Sequence, residues 1–464
     1  MSASERLIES FARERRPLRI LGASGQLGYG IPTPALEEGL RRSPDMIGCD
    51  MGSIDIGPHY LGSGEMAPTR VGAKRDLRKV LNAARRHDIP LIIGSAGSAG
   101  AKPHLDQTLS MIREIAAADG LKFKLAYVPA DIPRDVVKRA VRAGKTLPMD
   151  TMPALTEQDV DEAENLVGQM GLEAFRRALE TGADVVVTGR ACDTGIFASI
   201  PAMLGFPLGL ATHMAKIVEC ASLCCVPGGR DTILAVLDDE GFDLESMSSQ
   251  RAATPTSVAA HSLYEQADPY DIREPAGHTD LRAVTYRALD ERRTRVTGAV
   301  FVPAERQTLK LEGASRVGFR ALLLAGAADP NFIAQHETIF AGVQRVVRDL
   351  VCEDTAEDYN LSFRVYGIDG VRAWSDQTAV LPREVLVMGE CIAPTLERAE
   401  EVVRTTKQYL LHYGYEGRVS TAGNLAFPFT PPEVTIGAAY RFNVFHLMQV
   451  EDMAELFPVV TETF

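Results

Sequence analysis

Pro90-Leu-Ile-Ile-Gly94-Ser-Ala-Gly-Ser-Ala-Gly100 decides the fold: a short apolar run breaks into a Gly/Ser loop, and helical spacing follows over residues 105–118. An apolar run of this length bounded by glycine predicts a strand buried on both faces, the kind that parallel sheets use. The same unit recurs on either side. Upstream, residues 17–21 and 46–50 are apolar runs that end in Gly-rich segments, and residues 69–87 carry helical spacing at Val71, Leu77, Val80, Leu81 and Ala84. Downstream lie a strand at 122–129, helices at 134–143 and 161–180, and the strand Asp184-Val-Val-Val-Thr188. Parallel neighbours need long crossovers, so this repetition predicts an α/β fold, a parallel Rossmann-like sheet covered by helices over residues 1–240.

Residues 241–300 are turn-rich and hold no long periodic run. Beyond them the order changes to strand (316–326), long helix (330–351), strands (359–367 and 384–392) and second long helix (395–413). That order predicts a ferredoxin-like α+β domain over 301–464, with the tail from residue 428 packing back on the body.

Charge and composition narrow the function. The 464 residues hold 49 Lys+Arg against 62 Asp+Glu, a net charge of −13, with 45% hydrophobic and 24% charged residues. This is a globular balance, with no basic stripe of the kind that nucleic-acid binding needs. No apolar stretch reaches bilayer length, and the charged start of the chain lacks the apolar core of a secretory signal, so a cytoplasmic protein without membrane contact is expected. Seven cysteines without repeated spacing predict reduced thiols. A chain of this size with an aromatic tail is expected to form a homo-oligomer.

Ligands of a parallel sheet bind at the carboxyl ends of its strands. Here those ends are Gly22, Asp50, Gly94 and Gly189. Gly22-Ala-Ser-Gly25-Gln-Leu-Gly28 has the glycines of a cofactor-binding turn. A dinucleotide site, an anion loop and a plain tight turn all stay open, because Pro32 and Pro34 delay the following helix. Cys49-Asp-Met-Gly-Ser-Ile-Asp-Ile-Gly-Pro-His-Tyr-Leu-Gly-Ser-Gly64 is the densest polar segment. Asp50 and Asp55 are acid–base candidates there, and Ser53, His59, Tyr60 and Ser63 are candidate substrate contacts. Ser95 and Ser98 in the loop 94–100 are candidates for cradling an oxyanion.

Thr188-Gly-Arg-Ala-Cys-Asp193 places Arg190 to clamp a carboxylate, with Asp193 orienting it or acting as base; the alternative is an Arg190–Asp193 pair bracing the loop. His213, Lys216 and Cys220 share one face of an expected helix over 207–225. An ammonium beside a thiol favours thiolate, although Glu219 is an equally good partner for Lys216, and a satisfied core histidine with inert thiols is the other reading. No metal is expected: C-x-x-C and H-E-x-x-H are absent, and His213, Cys220 and Cys224 are spread too far along one helix to converge on an ion. His261, Tyr264, Asp268 and Tyr270 form a weaker cluster for which a structural role is expected.

These segments resemble the acyclic terpene utilisation (AtuA-like) family. The matching stretches are 20–30, 49–64, 93–101 and 184–220, and Thr254-Pro-Thr-Ser-Val-Ala-Ala-His-Ser-Leu-Tyr264, Lys310-Leu-Glu-Gly-Ala-Ser-Arg-Val-Gly318 and Tyr440-Arg-Phe-Asn-Val-Phe-His446 resemble its shorter branch. The resemblance implies catabolism of branched or terpene-derived acyl compounds, and some sequences of this kind are described as ammonia-lyases. It also implies a small ferredoxin-fold companion, here a separate polypeptide, and it supplies no site residues. Together the readings predict a lyase that removes a proton α to a carbonyl in a small anionic carboxylic acid or acyl thioester, with the cofactor unknown. A nucleotide-dependent oxidoreductase and a non-catalytic acyl-binding subunit are the alternatives.

Overall fold

Five apolar runs form the middle of one sheet. In the computed structural model, which describes residues 1–352, 358–372 and 381–464, Leu18–Ser24, Met46–Asp50, Leu91–Gly94, Val185–Thr188 and Lys124–Val128 lie side by side in that order and run parallel. Alternate side chains enter different cores. Ile20, Met46, Ile92 and Val186 pack on one face, while Leu21, Ile47, Ile93 and Val187 pack on the other, which is why the runs are apolar throughout.

The sheet is nevertheless mixed, which corrects the expectation of a parallel one. Ile233–Leu237 joins Leu18–Ser24 antiparallel, and Gly241–Ser246, Arg293–Thr297 and Thr285–Ala288 continue outward. The cause is local. Asp238 Oδ1 accepts from the amides of Glu240 and Gly241 at 2.9 and 3.0 Å, closing a hairpin that admits only antiparallel neighbours. At the other edge Val460–Thr463 pairs antiparallel with Lys124–Val128, giving ten strands among the described residues. The helix expected over 161–180 is instead the helix Glu157–Glu162, the strand Asn165–Gly168 and the helix Leu172–Glu180. The strand pairs with residues 311–314, and Gly168 lets it approach closely, since a Cβ there would meet Leu309 Cδ2 at 2.7 Å.

Two compact units divide the chain, residues 1–315 with 442–464 and residues 316–441, and the crossings fall within the strands Thr308–Ala327 and Glu433–Gln449. In the second unit the strand order is Asn360–Tyr366, Val385–Ala393, Thr308–Ala327, Glu433–Gln449. Its helices His336–Val351 and Leu396–His412 supply Phe340, Val343, Val402 and Val403 to a core shared with Leu323 and Val387. Among the described residues no helix is long and apolar enough to cross a membrane.

In the first unit the helices Asp193–Met203 and Leu208–Val218 pack closely against each other, and every residue from Gly209 to Val218 is buried. Close packing also explains Gly48. A Cβ there would lie 2.2 Å from the Phe197 ring of the helix Asp193–Met203. Gly48→Ala is therefore expected to lower stability by about 2 kcal/mol through overpacking, read as the shift in the urea midpoint. An unchanged midpoint would show that the ring can retreat.

Candidate functional site

Four carboxylates and one ammonium meet at the strand ends of the first unit. Asp50 is the last residue of Met46–Asp50, and Asp193 opens the helix that follows Val185–Thr188. Lys216 and Glu219 sit on the last turn of Leu208–Val218 and at its C-terminal cap. Glu265 lies beyond the short helix Pro255–His261, at a φ of 57°. Such left-handed strain in a non-glycine residue is costly and gathers at functional sites.

Lys216 Nζ donates to Glu219 Oε1 (2.5 Å), Glu265 Oε2 (3.0 Å) and Asp193 Oδ2 (3.5 Å). One oxygen from each of Asp193, Glu219 and Glu265 lies within 4.8 Å of the others. Asp50 accepts from the amide of Gly52 through Oδ2 at 3.1 Å, whereas its Oδ1 is buried and has no protein partner. A cavity of about 220 Å³ opens onto Asp50, Asp193 and Glu219, with Arg230 and Tyr264 on its wall. A second, of about 330 Å³, is lined by Lys216, Cys192, Gln169, Glu274 and Lys310, and both share Ser53, Asp55, Asp193 and Glu265.

Burial sets the electrostatics. It pushes the Asp50 carboxyl well above the usual range, helped by Asp193 and opposed by Arg190 and Lys216. Burial also works to raise Asp193, but a hydrogen bond with Glu219 and the charges of Lys216 and Arg190 outweigh it and hold that carboxyl low. Glu274 rises to about 7, mainly through burial, with a hydrogen bond from Thr194 pulling against it. Burial raises Cys192 and Cys220 as well, and Glu219 adds to the effect at Cys220. Lys216 therefore does not turn Cys220 into a thiolate; its charge is engaged by three carboxylates.

Of the residues the sequence points to, Gly25, Asp50, Ser53, Asp55, Asp193, Cys220 and Tyr264 line the first cavity, and Arg190, Lys216 and Asp268 the second. His213 does not join them. It is fully buried, with Nε2 on Ser262 Oγ at 3.0 Å and its ring edge-on to Phe242 and Tyr286, and the helix expected over 207–225 ends at Val218, before the 3₁₀ turn Ala221–Cys224. Arg190 is held by Glu312, not Asp193, with Nε–Oε2 at 2.8 Å and Nη2–Oε1 at 3.2 Å.

The Gly-rich turns are already satisfied. The amide of Gln26 donates to Ser24 Oγ, that of Leu27 to Asp50 O, and those of Gly28 and Gly30 to Asp76 Oδ2 at 3.0 and 2.7 Å. Gly22 and Gly25 admit the helix Leu208–Val218 and the residues after it, since Cβ atoms there would meet Val218 Cγ1 and Cys220 Cα at 2.6 Å each. Ser95 is buried beside Ala191 and Arg190, and Ser98 Oγ donates to Ser53 O at 2.9 Å. His59, Tyr60 and Ser63 ride on the helix Pro58–Ser63, outside both cavity walls. Glu265, Glu274, Glu312 and Arg230 were not singled out; only Glu219 had a local signal, three residues from Lys216.

The fold and site define a mixed α/β protein whose strand-end cavities are built from carboxylates around a buried lysine. A family model described as acyclic terpene utilisation family protein AtuA matches residues 69–231 and 244–430, and the chain belongs to that family. The matched stretches contain Asp193, Lys216, Glu219, Arg230 and Glu265, while Asp50 precedes them. No curated protein and no solved structure matches the chain.

Proposed function

We propose that the protein is a lyase that removes a proton α to the carbonyl of a small carboxylic acid or acyl thioester and expels a β-hydroxyl or β-amino group. The observation that carries this reading is the unpartnered Oδ1 of Asp50, a residue in the wall of a cavity that also presents Asp193, Glu219 and Glu265, the partners of Lys216, and an open guanidinium. Arg230 is exposed at that cavity and rests over the Tyr29 ring at 5.5 Å, with no carboxylate partner among the described residues. It takes the anion-binding role first expected of Arg190. Asp50 Oδ1 accepts the α-proton, the positive charge at Lys216 offsets the charge that develops on the carbonyl oxygen, and the same proton departs with the leaving hydroxide or amine. Atoms and charge balance without a redox partner.

The fold supports the reading in its finer form. Five parallel strands with the site at their carboxyl ends fit a Rossmann-like core. In the second unit the fourth, first, third and second strands by chain position are adjacent in that order, with a helix after the first and another after the third, as in a ferredoxin-like domain.

The test is α-proton exchange in D2O, followed by NMR, with short branched 3-hydroxy acids, 3-amino acids and their CoA thioesters. The native protein is expected to exchange at least one of them, Asp50→Asn to lose exchange by about 10²-fold or more, and Arg230→Ala chiefly to raise KM. Exchange undiminished in Asp50→Asn, or absent across the panel, overturns the reading.

A further inference from the structure

Every donor of Lys216 is taken. An ammonium has three N–H bonds, and those of Lys216 donate to Glu219, Glu265 and Asp193. A ligand oxygen can therefore reach Nζ only by displacing one of the three carboxylates. Their holds are unequal. The Glu219 side chain is 4% exposed, at the C-terminal cap of a buried helix. Asp193 opens a helix buried from Thr194 to Pro201 and shares a hydrogen bond with Glu219. Glu265 is 34% exposed and belongs to neither a helix nor a strand.

The segment around Glu265 is lightly held. Ser262 anchors its start through His213 and Tyr286, and the strand Asp271–Glu274 follows its end. Among the described residues, the hydrogen bonds of residues 263–269 stay within their own turns, as from Leu263 N to Ala260 O and from Tyr264 N to His261 O. The exception is the bond from Lys216 to Glu265. Leu263 and Tyr264 remain exposed, so apolar burial adds little to that tie. At the tie itself Glu265 is held at a φ of 57°, a strain that release of the ion pair would relieve, and its side chain lines both cavities.

Charge decides what can displace it. Asp50, Asp193, Glu219 and Glu265 share one cavity wall, and an anion added to them would stand without a counter-charge, which is costly in a buried site. A neutral oxygen in place of Glu265 would instead remove a counter-charge from Lys216. A carboxylate that takes the place of Glu265 leaves the sum unchanged.

We propose that Glu265 is an exchangeable occupant of the ligand site: a small carboxylate binds Lys216 in its place, and residues 263–269 swing away from the cavities. One ligand oxygen then meets Lys216, and the other stays in the cavity that Arg230 lines. The inference rests on the lyase reading for its ligand, because it supplies the contact between Lys216 and the carbonyl oxygen that the reading requires.

The experiment follows amide hydrogen exchange of the full chain by mass spectrometry, alone and with 3-hydroxybutyrate, while calorimetry measures the affinity. Bound ligands usually slow amide exchange, whereas residues 263–269 are expected to exchange about threefold faster or more at saturation. Glu265→Gln is expected to show that fast exchange without ligand. It is also expected to bind 3-hydroxybutyrate about tenfold more tightly than the native protein, as a latch closed about nine times in ten dictates. Glu265→Gly, which keeps the left-handed turn without strain and lacks the carboxylate, is expected to bind at least as tightly as Glu265→Gln. Slowed or unchanged amide exchange of 263–269 at saturation, affinity no tighter in either variant, or no binding by native protein and variants alike overturns the proposal. Binding with release of the segment but no α-proton exchange would overturn the lyase reading alone. Exchange of the α-proton with the segment unmoved would overturn this proposal alone.

Discussion

Arg190→Met is expected to destabilise the protein by about 3 kcal/mol or more, and adding Glu312→Leu to restore most of that loss. Arg190 is 3% exposed and Glu312 is fully buried, and their two hydrogen bonds form a bidentate fork. Removing the guanidinium leaves the carboxylate in a site that water cannot solvate, with Lys310 Nζ at 2.9 Å as its remaining cation. That lysine keeps the cost near the lower end of the range for a broken buried pair. The same change strips the loop 189–192 of the contacts from Arg190 Nη1 to Ser95 Oγ and Ala191 O, both at 3.5 Å. The double variant replaces both charges with apolar volume, so no unpaired group remains. Urea unfolding of the two single variants and the double variant gives the coupling directly. Loss of turnover with a shift below about 1 kcal/mol in Arg190→Met would instead return Arg190 to the role of a substrate clamp.

Legibility followed sequence distance. Asp50, Asp193 and Lys216 were visible because each sits beside a strand end or on a periodic helix, and local pattern reports such positions. Their partners were not, because Glu265 meets Lys216 across 49 residues, Glu274 meets Thr194 across 80, and Glu312 meets Arg190 across 122. Glu274 ends the short strand Asp271–Glu274, in a stretch whose hairpins carry too few residues for a periodic signal. The same limit hid the antiparallel half of the large sheet, where strands of four to six residues take their orientation from tight turns. Gly22 and Gly28 illustrate the converse. Their spacing fits a phosphate-binding turn, yet one admits Val218 and the other donates to Asp76, because a glycine pattern reports close approach without naming what approaches.

His213 is expected to make the protein acid-sensitive. Burial pulls its pKa from 6.5 to about 3, and the surrounding hydrogen bonds show why a second proton has no place. Ser262 Oγ donates to Val258 O and accepts from Tyr286 Oη, so His213 Nε2 donates to it, leaving Nδ1 as a bare, buried acceptor. Protonation would place an N–H at Nδ1, a buried atom with no hydrogen-bond partner to receive it. The linkage has a definite sign. Above pH 6.5 the imidazole is neutral in the folded and unfolded chains alike, so its contribution is fully present. As pH falls from 6.5 towards 3, the unfolded chain takes up a proton that the folded one refuses, and stability drops by about 1 kcal/mol per pH unit. His104, also lowered by burial, and His261, lowered to about 4 by burial and then by Lys216, act in the same direction. Comparison with His213→Gln isolates the one residue. The variant is expected to be less stable than the native protein at pH 7.5 by about 1–2 kcal/mol, and that gap is expected to close by pH 4.5. A gap that stays constant across this range would mean that the folded chain takes up the proton on His213 as readily as the unfolded one, and the bare, buried Nδ1 would have to be given up.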